Sequence, residues 1–372
     1  MTKPTDLLPQ GLEDRLPSAA AGITAAMRAA LDALHAHGYE RVRPPLLEYE
    51  SSLASRMRGV KTQHCFRMID PASLRTLALR SDITPQIGRI AATSMAAAPR
   101  PLRLAYCGDT ALIAASPLDP ARERLQLGAE LIGADTQGAA GEIVMLAIEA
   151  LQAAGVAEIS VDFTMPDLVD TLAAMDDALD PETIEAIRRE LDTKDAGGLK
   201  AAGGAAYLPL LYAAGPIEAA LGELRAFDAK GVLATRLGAL EAIAARITAR
   251  WPGEVRMTLD PTERHGFEYQ SWFGFTLYAA GVRGAGGRGG TYMLAGSEEP
   301  ATGFTLYLDR LAEALGAPEP APLVYLPLGH DEARAAQLRR DGWRTLAQLG
   351  EGEEPQALGC THVLEGGDLR EV

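Results

Sequence analysis

Two strand-like runs, Arg103–Ala115 and Arg124–Gly133, flank a polar, proline-containing stretch, Ser116–Glu123. Runs joined by so short a connection pair antiparallel, because a parallel crossover needs a dozen or more residues. The long hairpin this predicts constrains the rest of the chain. With helical periodicity before and after it, the fold class is α+β, an antiparallel sheet flanked by helices, and not a doubly wound parallel sheet.

The spacing predicts a helix over 18–37, with Ile23, Met27, Leu31 and Leu34 on one face, Ser18 as its cap and Gly38 as its stop. Tyr39–Arg43 reads as a strand closed by Pro44-Pro45. Ser73–Arg80 alternates as a strand. Thr84-Pro85, a cap followed by a first-turn proline, then opens a helix through Ile87, Ile90, Ala91 and Met95. A helix over 142–154 and a strand over 157–164 follow. Residues 167–250 are Ala-rich, helical in period and poor in strand signal, and read as a helical insertion. Strand chemistry returns at Val255–Leu259 and Phe267–Val282. The glycine-rich run Gly281–Gly290 leads to Tyr292–Leu294, and Thr302–Leu315 reads as a last apolar helix. Beyond the linker Pro318–Pro322, a strand over Leu323–Leu328, a helix and a strand over Thr361–Leu364 make a short α/β appendage. The expected division is therefore 1–316 and 317–372.

Composition removes several function classes. The 372 residues carry 35 basic and 50 acidic side chains, a formal charge of −15. Such a surface repels phosphate backbones, so no nucleic-acid partner is expected. Cys65, Cys107 and Cys360 are scattered, with no CxxC pair and no even framework, which gives no metal site and no disulfide scaffold. No apolar signal core opens the chain, and no run approaches about 18 apolar residues, so a cytoplasmic chain without a membrane partner is expected. No GxGxxG leads from a strand into a helix, Walker, HExxH and GxSxG signatures are missing, and no cofactor is expected.

Four segments carry the chemistry: Leu77–Gln86 (LALRSDITPQ), Arg103–Asp135, Glu263–Gly290 and Gly303–Leu311 (GFTLYLDRL). Read one at a time, their polar residues allow structural roles. Gln126 and Glu130 fit a solvent-facing strand, Thr84 a helix cap, Gly286-Gly287 a hairpin turn, and Arg310 a surface helix beside Asp309. In order and spacing, however, the segments resemble the catalytic domain of histidyl-tRNA synthetase, a class II synthetase fold, over about residues 6–316. The preceding helix and Gly38–Glu48 (GYERVRPPLLE) resemble the first class II motif, which implies a homodimer core.

The resemblance assigns residues unevenly. It implies a histidine pocket of Asp82, Thr84, Gln126, Glu130 and Tyr269, with Glu268, Arg288 and Arg310 as further pocket residues, Arg310 matching the third-motif Arg that would hold ATP. Strand alternation independently places Gln126 and Glu130 on one face. The positions matching the synthetase's ATP-gripping Arg, Glu and Arg are Leu112, Ala114 and Pro120. The synthetase's catalytic Arg before a glycine is displaced too: His265 precedes Gly266, and Arg264 lies one residue early. In-line attack on an α-phosphate needs a charge clamp, and loss of a bidentate guanidinium is not conservative.

A kept amino-acid pocket with lost phosphate residues resembles the regulatory-subunit family of ATP phosphoribosyltransferase, a synthetase paralogue. That resemblance implies no catalytic residues of its own, a short-form catalytic subunit as partner in a hetero-oligomer, and L-histidine as a feedback effector in the first step of histidine biosynthesis. The tail fits: a tRNA-reading domain runs about 90–100 residues and about 50 remain. The alternative is an active histidyl-tRNA synthetase or another class II adenylate-forming ligase. An empty scaffold is a third reading, against which the Gln126 and Glu130 pair speaks.

Overall fold

The computed structural model describes residues 8–54, 65–114, 120–174, 179–264, 270–294, 297, 299–315, 319 and 321–372. The chain divides into two compact units, Met1–Gly316 and Ala317–Val372.

The larger unit is built on a nine-stranded sheet. Its order is Glu40–Arg41, Leu102–Ala111, Glu123–Ile132, Pro300–Tyr307, Gly287–Met293, Gln270–Ala279, Ile159–Thr164, Arg256–Asp260 and Gly215–Pro216. Neighbours are antiparallel except at two joints, Glu40–Arg41 with Leu102–Ala111 and Ile159–Thr164 with Arg256–Asp260. The hairpin strands pair in continuous register from Leu102 opposite Ile132 to Ala111 opposite Glu123. Period-two alternation then sorts their side chains. Ala105, Cys107, Leu127, Ala129 and Leu131 enter the main core, with Leu34 of helix Pro17–Ala36 and Ile143 and Ala147 of helix Gln137–Ala153. Leu104, Tyr106 and Ile132 turn the other way, onto Ile83 and Ile87 beside helix Thr84–Ala92. Covered on both faces, the hairpin is a rigid platform, and its second face holds the site.

A three-stranded sheet pairs Leu47–Tyr49 and Arg67–Ile69 with Thr76–Leu79, which leads into the site loop. Between Thr164 and Arg256 the elements of the described residues are helical apart from the short edge strand Gly215–Pro216. Ile187, Leu191, Leu237, Leu240, Ile243 and Ile247 from that region join the main core. In the smaller unit, Leu323–Leu326 is central in a four-stranded sheet with helix Glu332–Arg340. Arg344–Ala347 and Asp368–Glu371 are strands that the sequence pattern did not announce.

Three expectations are corrected. Thr302–Leu315 is not one helix: Pro300–Tyr307 is a strand and only Leu308–Leu315 is helical. That strand lies between two others and is buried on both faces, so it shows no alternation and reads as a buried helix. Ser18 does not cap the first helix. Pro17 starts it, after Leu16 and with no side-chain cap; its missing N–H is one the helix could not satisfy internally. Thr84 is not a cap either. It is the first residue of its helix, after Ile83, and its hydroxyl serves the pocket.

Candidate functional site

Strand Glu123–Ile132 presents Gln126 and Glu130 on the face toward the Arg80–Thr84 loop, and both are buried. Gln126 clamps that loop with its whole amide. Its Oε1 accepts from the Ile83 backbone N–H at 2.8 Å, and its Nε2 donates to Asp82 Oδ1 at 2.7 Å and toward Thr305 Oγ1 at 3.3 Å. Asp82 Oδ1 also accepts the Thr84 backbone N–H at 3.0 Å. One side chain thus fixes both the backbone and the carboxylate of the loop.

Glu130 lies deeper, 1% exposed. Its Oε2 accepts from Tyr292 OH at 2.8 Å; its Oε1 accepts from Thr84 Oγ1 and Tyr106 OH, each at 3.3 Å. Tyr106 OH and Thr305 Oγ1 are 2.7 Å apart, which links the two acids through hydroxyls and the Gln126 amide. Gly303 stands directly opposite Glu130 in the neighbouring strand, where a Cβ would fall 1.7 Å from Oε2, so glycine makes room for the carboxylate.

Burial dominates the electrostatics here. It pushes the Glu130 carboxyl up to about 8, with the Asp82 charge adding to the rise and the bonds from Tyr292, Thr84 and Tyr106 opposing it. Burial, then Glu130 and Asp82, raise the Tyr106 phenol well above its ordinary range. A buried carboxyl whose hydrogen bonds come from hydroxyls is costly in its charged form. A ligand that brings a cation to it supplies the missing compensation.

The opposite end of the same face differs. Leu112 is half-buried, and Ala114 and Pro120 are exposed, so none offers a charge to a phosphate. Arg122 of the same hairpin donates to the carbonyls of Leu112 at 3.1 Å and Gln10 at 3.3 Å. Arg124 Nη1 donates to Asp309 Oδ2 at 3.3 Å, and Asp309 Oδ1 accepts the Leu125 N–H at 3.2 Å; both side chains are more than nine-tenths buried. Arg310 donates to the Ala285 carbonyl at 3.0 Å and lies over the Tyr307 ring. Burial raises the Tyr307 phenol, while the charges of Arg288, Arg310 and Arg124 pull it down. Asp82 adds to that rise, so Arg288 and Arg310 lie near Tyr307 on the Asp82 side, and Arg288 stands opposite Thr305 of the network in the paired strand. The Arg264 backbone N–H donates to Asp192 at 3.0 Å.

The structure brings Asp82, Thr84, Gln126 and Glu130 into one network. Glu268 and Tyr269 lie outside the described residues. Tyr106, Tyr292 and Thr305 complete the network and were not singled out from the sequence. Tyr106 reads as an ordinary core aromatic, and the other two come from strands far along the chain. The readable signal was parity: in registered strands each falls on the face of Gln126 and Glu130. Among the described residues, no group of three or more His, Cys, Asp or Glu side chains is placed to hold a metal ion.

The histidyl-tRNA synthetase family model matches residues 11–311. The chain is 39% identical to the ATP phosphoribosyltransferase regulatory subunit of Rhodospirillum centenum, over 98% of this chain and 96% of that one. It is 39% identical to the regulatory subunit of Paramagnetospirillum magneticum, over 98% of each. A solved structure from Bacillus halodurans, described as an ATP phosphoribosyltransferase regulatory subunit/histidyl-tRNA synthetase, superposes with a TM-score of 0.80 at 26% identity, over 96% of this chain and 97% of that one. Histidyl-tRNA synthetase from Nostoc shares the fold, with a TM-score of 0.77 at 15% identity, over 96% of this chain and 90% of that one.

Proposed function

Since the chain belongs to the ATP phosphoribosyltransferase regulatory subunit family, on a histidyl-tRNA synthetase-like domain, we propose that it is the non-catalytic, histidine-sensing subunit of that enzyme. The observation that carries the reading is the asymmetry of the sheet face. Glu130, Gln126 and Thr84, all buried, and the half-buried Asp82 form one joined site, and the phosphate-clamp positions hold Leu112, Ala114 and Pro120. Histidine brings an ammonium and an imidazole, one basic group for each of the carboxylates Asp82 and Glu130. The three positions that would clamp an α-phosphate hold Leu112, Ala114 and Pro120, so in this reading binding ends without adenylation.

The partner in this reading is a short-form catalytic subunit that joins ATP to phosphoribosyl pyrophosphate, and the complex works in the cytoplasm. Among the described residues, no helix is long and apolar enough to cross a membrane. A homodimer core through the first helix and Gly38–Glu48 would offer two equivalent docking surfaces. Histidine then acts by favouring one arrangement of the assembly, and shifts activity by its difference in affinity between arrangements.

Co-expression with the short catalytic subunit, size-exclusion chromatography and an ATP phosphoribosyltransferase assay with and without histidine test this. Co-elution, with a rate and histidine sensitivity that depend on this chain, is expected. Separate elution at micromolar concentration, with an unchanged rate, defeats the proposal. Robust histidine-dependent exchange of pyrophosphate into ATP would instead favour a synthetase.

A further inference from the structure

The loop between Arg80 and Gln86 has two working sides. Toward the pocket it offers Asp82, the Ile83 N–H and Thr84, held by Gln126 and Glu130. On its other side it is bound to Pro44–Glu48. Arg80 is buried. Its Nε donates to the Asp109 carbonyl at 2.7 Å, and its Nη1 to the Pro44 carbonyl at 3.1 Å and to Gln86 Oε1 at 3.3 Å. Gln86, fully buried, donates through Nε2 to the Pro45 carbonyl at 2.7 Å and to Glu48 Oε1 at 2.9 Å. Arg89 closes the far side on Glu48 at 2.6 Å. The backbone joins too, as the Arg80 N–H donates to the Leu46 carbonyl at 3.2 Å. Gly108 lets the guanidinium lie against the hairpin, since a Cβ there would meet Arg80 Nη2 at 2.2 Å.

Two consecutive prolines make Pro44-Pro45 unable to donate backbone N–H groups, and only their carbonyls remain to be held. Arg80 and Gln86 take both. The segment's position is therefore set from the pocket loop, through a contiguous and mostly buried polar network that has little slack.

We propose that the Arg80–Gln86 segment, the turn and the start of helix Thr84–Ala92, is a two-sided strap, in which Arg80 and Gln86 are positioning residues that couple the state of the Glu130 pocket to the placement of Pro44–Glu48. The ligand identity used to test it rests on the reading of the pocket as a histidine site. The strap itself does not, because cutting a pocket-side anchor perturbs it without any ligand. Coupling of this kind is reciprocal: if histidine protects the segment, the state with the segment opened must bind histidine more weakly by the same factor.

The test uses the full-length chain and four proteins: the parent, Gln126→Met, Gln86→Met and the double variant. Amide hydrogen exchange is followed in peptides covering 44–49, with calorimetric titration of L-histidine alongside. In the parent, histidine should slow exchange there about 3- to 10-fold, and in Gln86→Met less than 2-fold, with affinity shifted by the missing factor. Without ligand, Gln126→Met should speed exchange in the parent background and add little in the Gln86→Met background. Glu48→Met, which removes the acceptor that Gln86 Nε2 and Arg89 share, stands in if Gln86→Met fails to fold. Equal histidine protection with and without the Gln86 link overturns the strap. So does additivity of the two substitutions without ligand. If the parent binds no histidine, the pocket reading fails, and the ligand-free cycle alone decides the strap.

Discussion

The two ends of one sheet face have diverged in opposite directions. At the Glu130 end, acceptors are buried, joined through hydroxyls and left with carboxylates for a ligand to meet. At the hairpin-tip end, charge is either missing, at Leu112, Ala114 and Pro120, or consumed internally, as Arg124 is by Asp309. Both ends stand on the same two registered strands, so the platform is common and the chemistry is not. On the proposed reading, binding and reaction are separable properties of such a sheet, because the two ends carry different side chains on common strands.

The largest effect expected is on adenylation. Removing a single preorganised stabilising donor costs about 10²–10³ in rate. With three clamp positions apolar, histidine-dependent pyrophosphate exchange should stay at background. Exchange at a synthetase-like rate would erase the distinction between the ends.

Stability sharpens the contrast next. Asp309 is held with its carboxyl raised by burial, against the pull of Arg124. Arg124→Met leaves that acid buried without its partner and should destabilise by about 3–5 kcal/mol, whereas Arg124→Met with Asp309→Leu should recover most of the loss. Urea unfolding of the three proteins measures it; equal loss in single and double variants would mean the pair does not act as a closed unit.

At the other end, Glu130→Gln keeps shape and removes the charge. Histidine affinity should fall by about 1.5–3 kcal/mol by calorimetry. An unchanged affinity would move the binding site away from Glu130.

A last contrast is a slope in pH. The Glu130 carboxyl is raised from 4.5 to about 8, so between those values the native state binds a proton that the unfolded chain has released. Stability from this group is therefore full below about 4.5 and is lost as pH rises through about 8, at no more than about 1.4 kcal/mol per pH unit. Glu130→Gln should flatten that decline in urea unfolding at pH 5, 6.5 and 8. An identical slope in the variant would show that Glu130 ionises freely.

Much of this was legible in the chain. A hairpin with a short connection fixes its own register, and register fixes parity, so Gln126 and Glu130 could be placed on one face before any coordinates. Other features were hidden for identifiable reasons. Pro300–Tyr307 is buried on both faces and lacks the alternation that marks a strand. Tyr292 and Thr305 reach Glu130 and Gln126 only after strands distant in sequence assemble. The second side of the Arg80–Gln86 loop was invisible because its partners are backbone carbonyls at Pro44 and Pro45, which no side-chain motif reports.

The most direct measurement is histidine inhibition of ATP phosphoribosyltransferase activity in the complex of the short catalytic subunit with this chain, parent against Glu130→Gln. A sensing pocket at Glu130 predicts an equal uninhibited rate and an inhibition curve displaced about 10- to 150-fold toward higher histidine, the same 1.5–3 kcal/mol read as a ratio. Superimposable curves in the two complexes would contradict it.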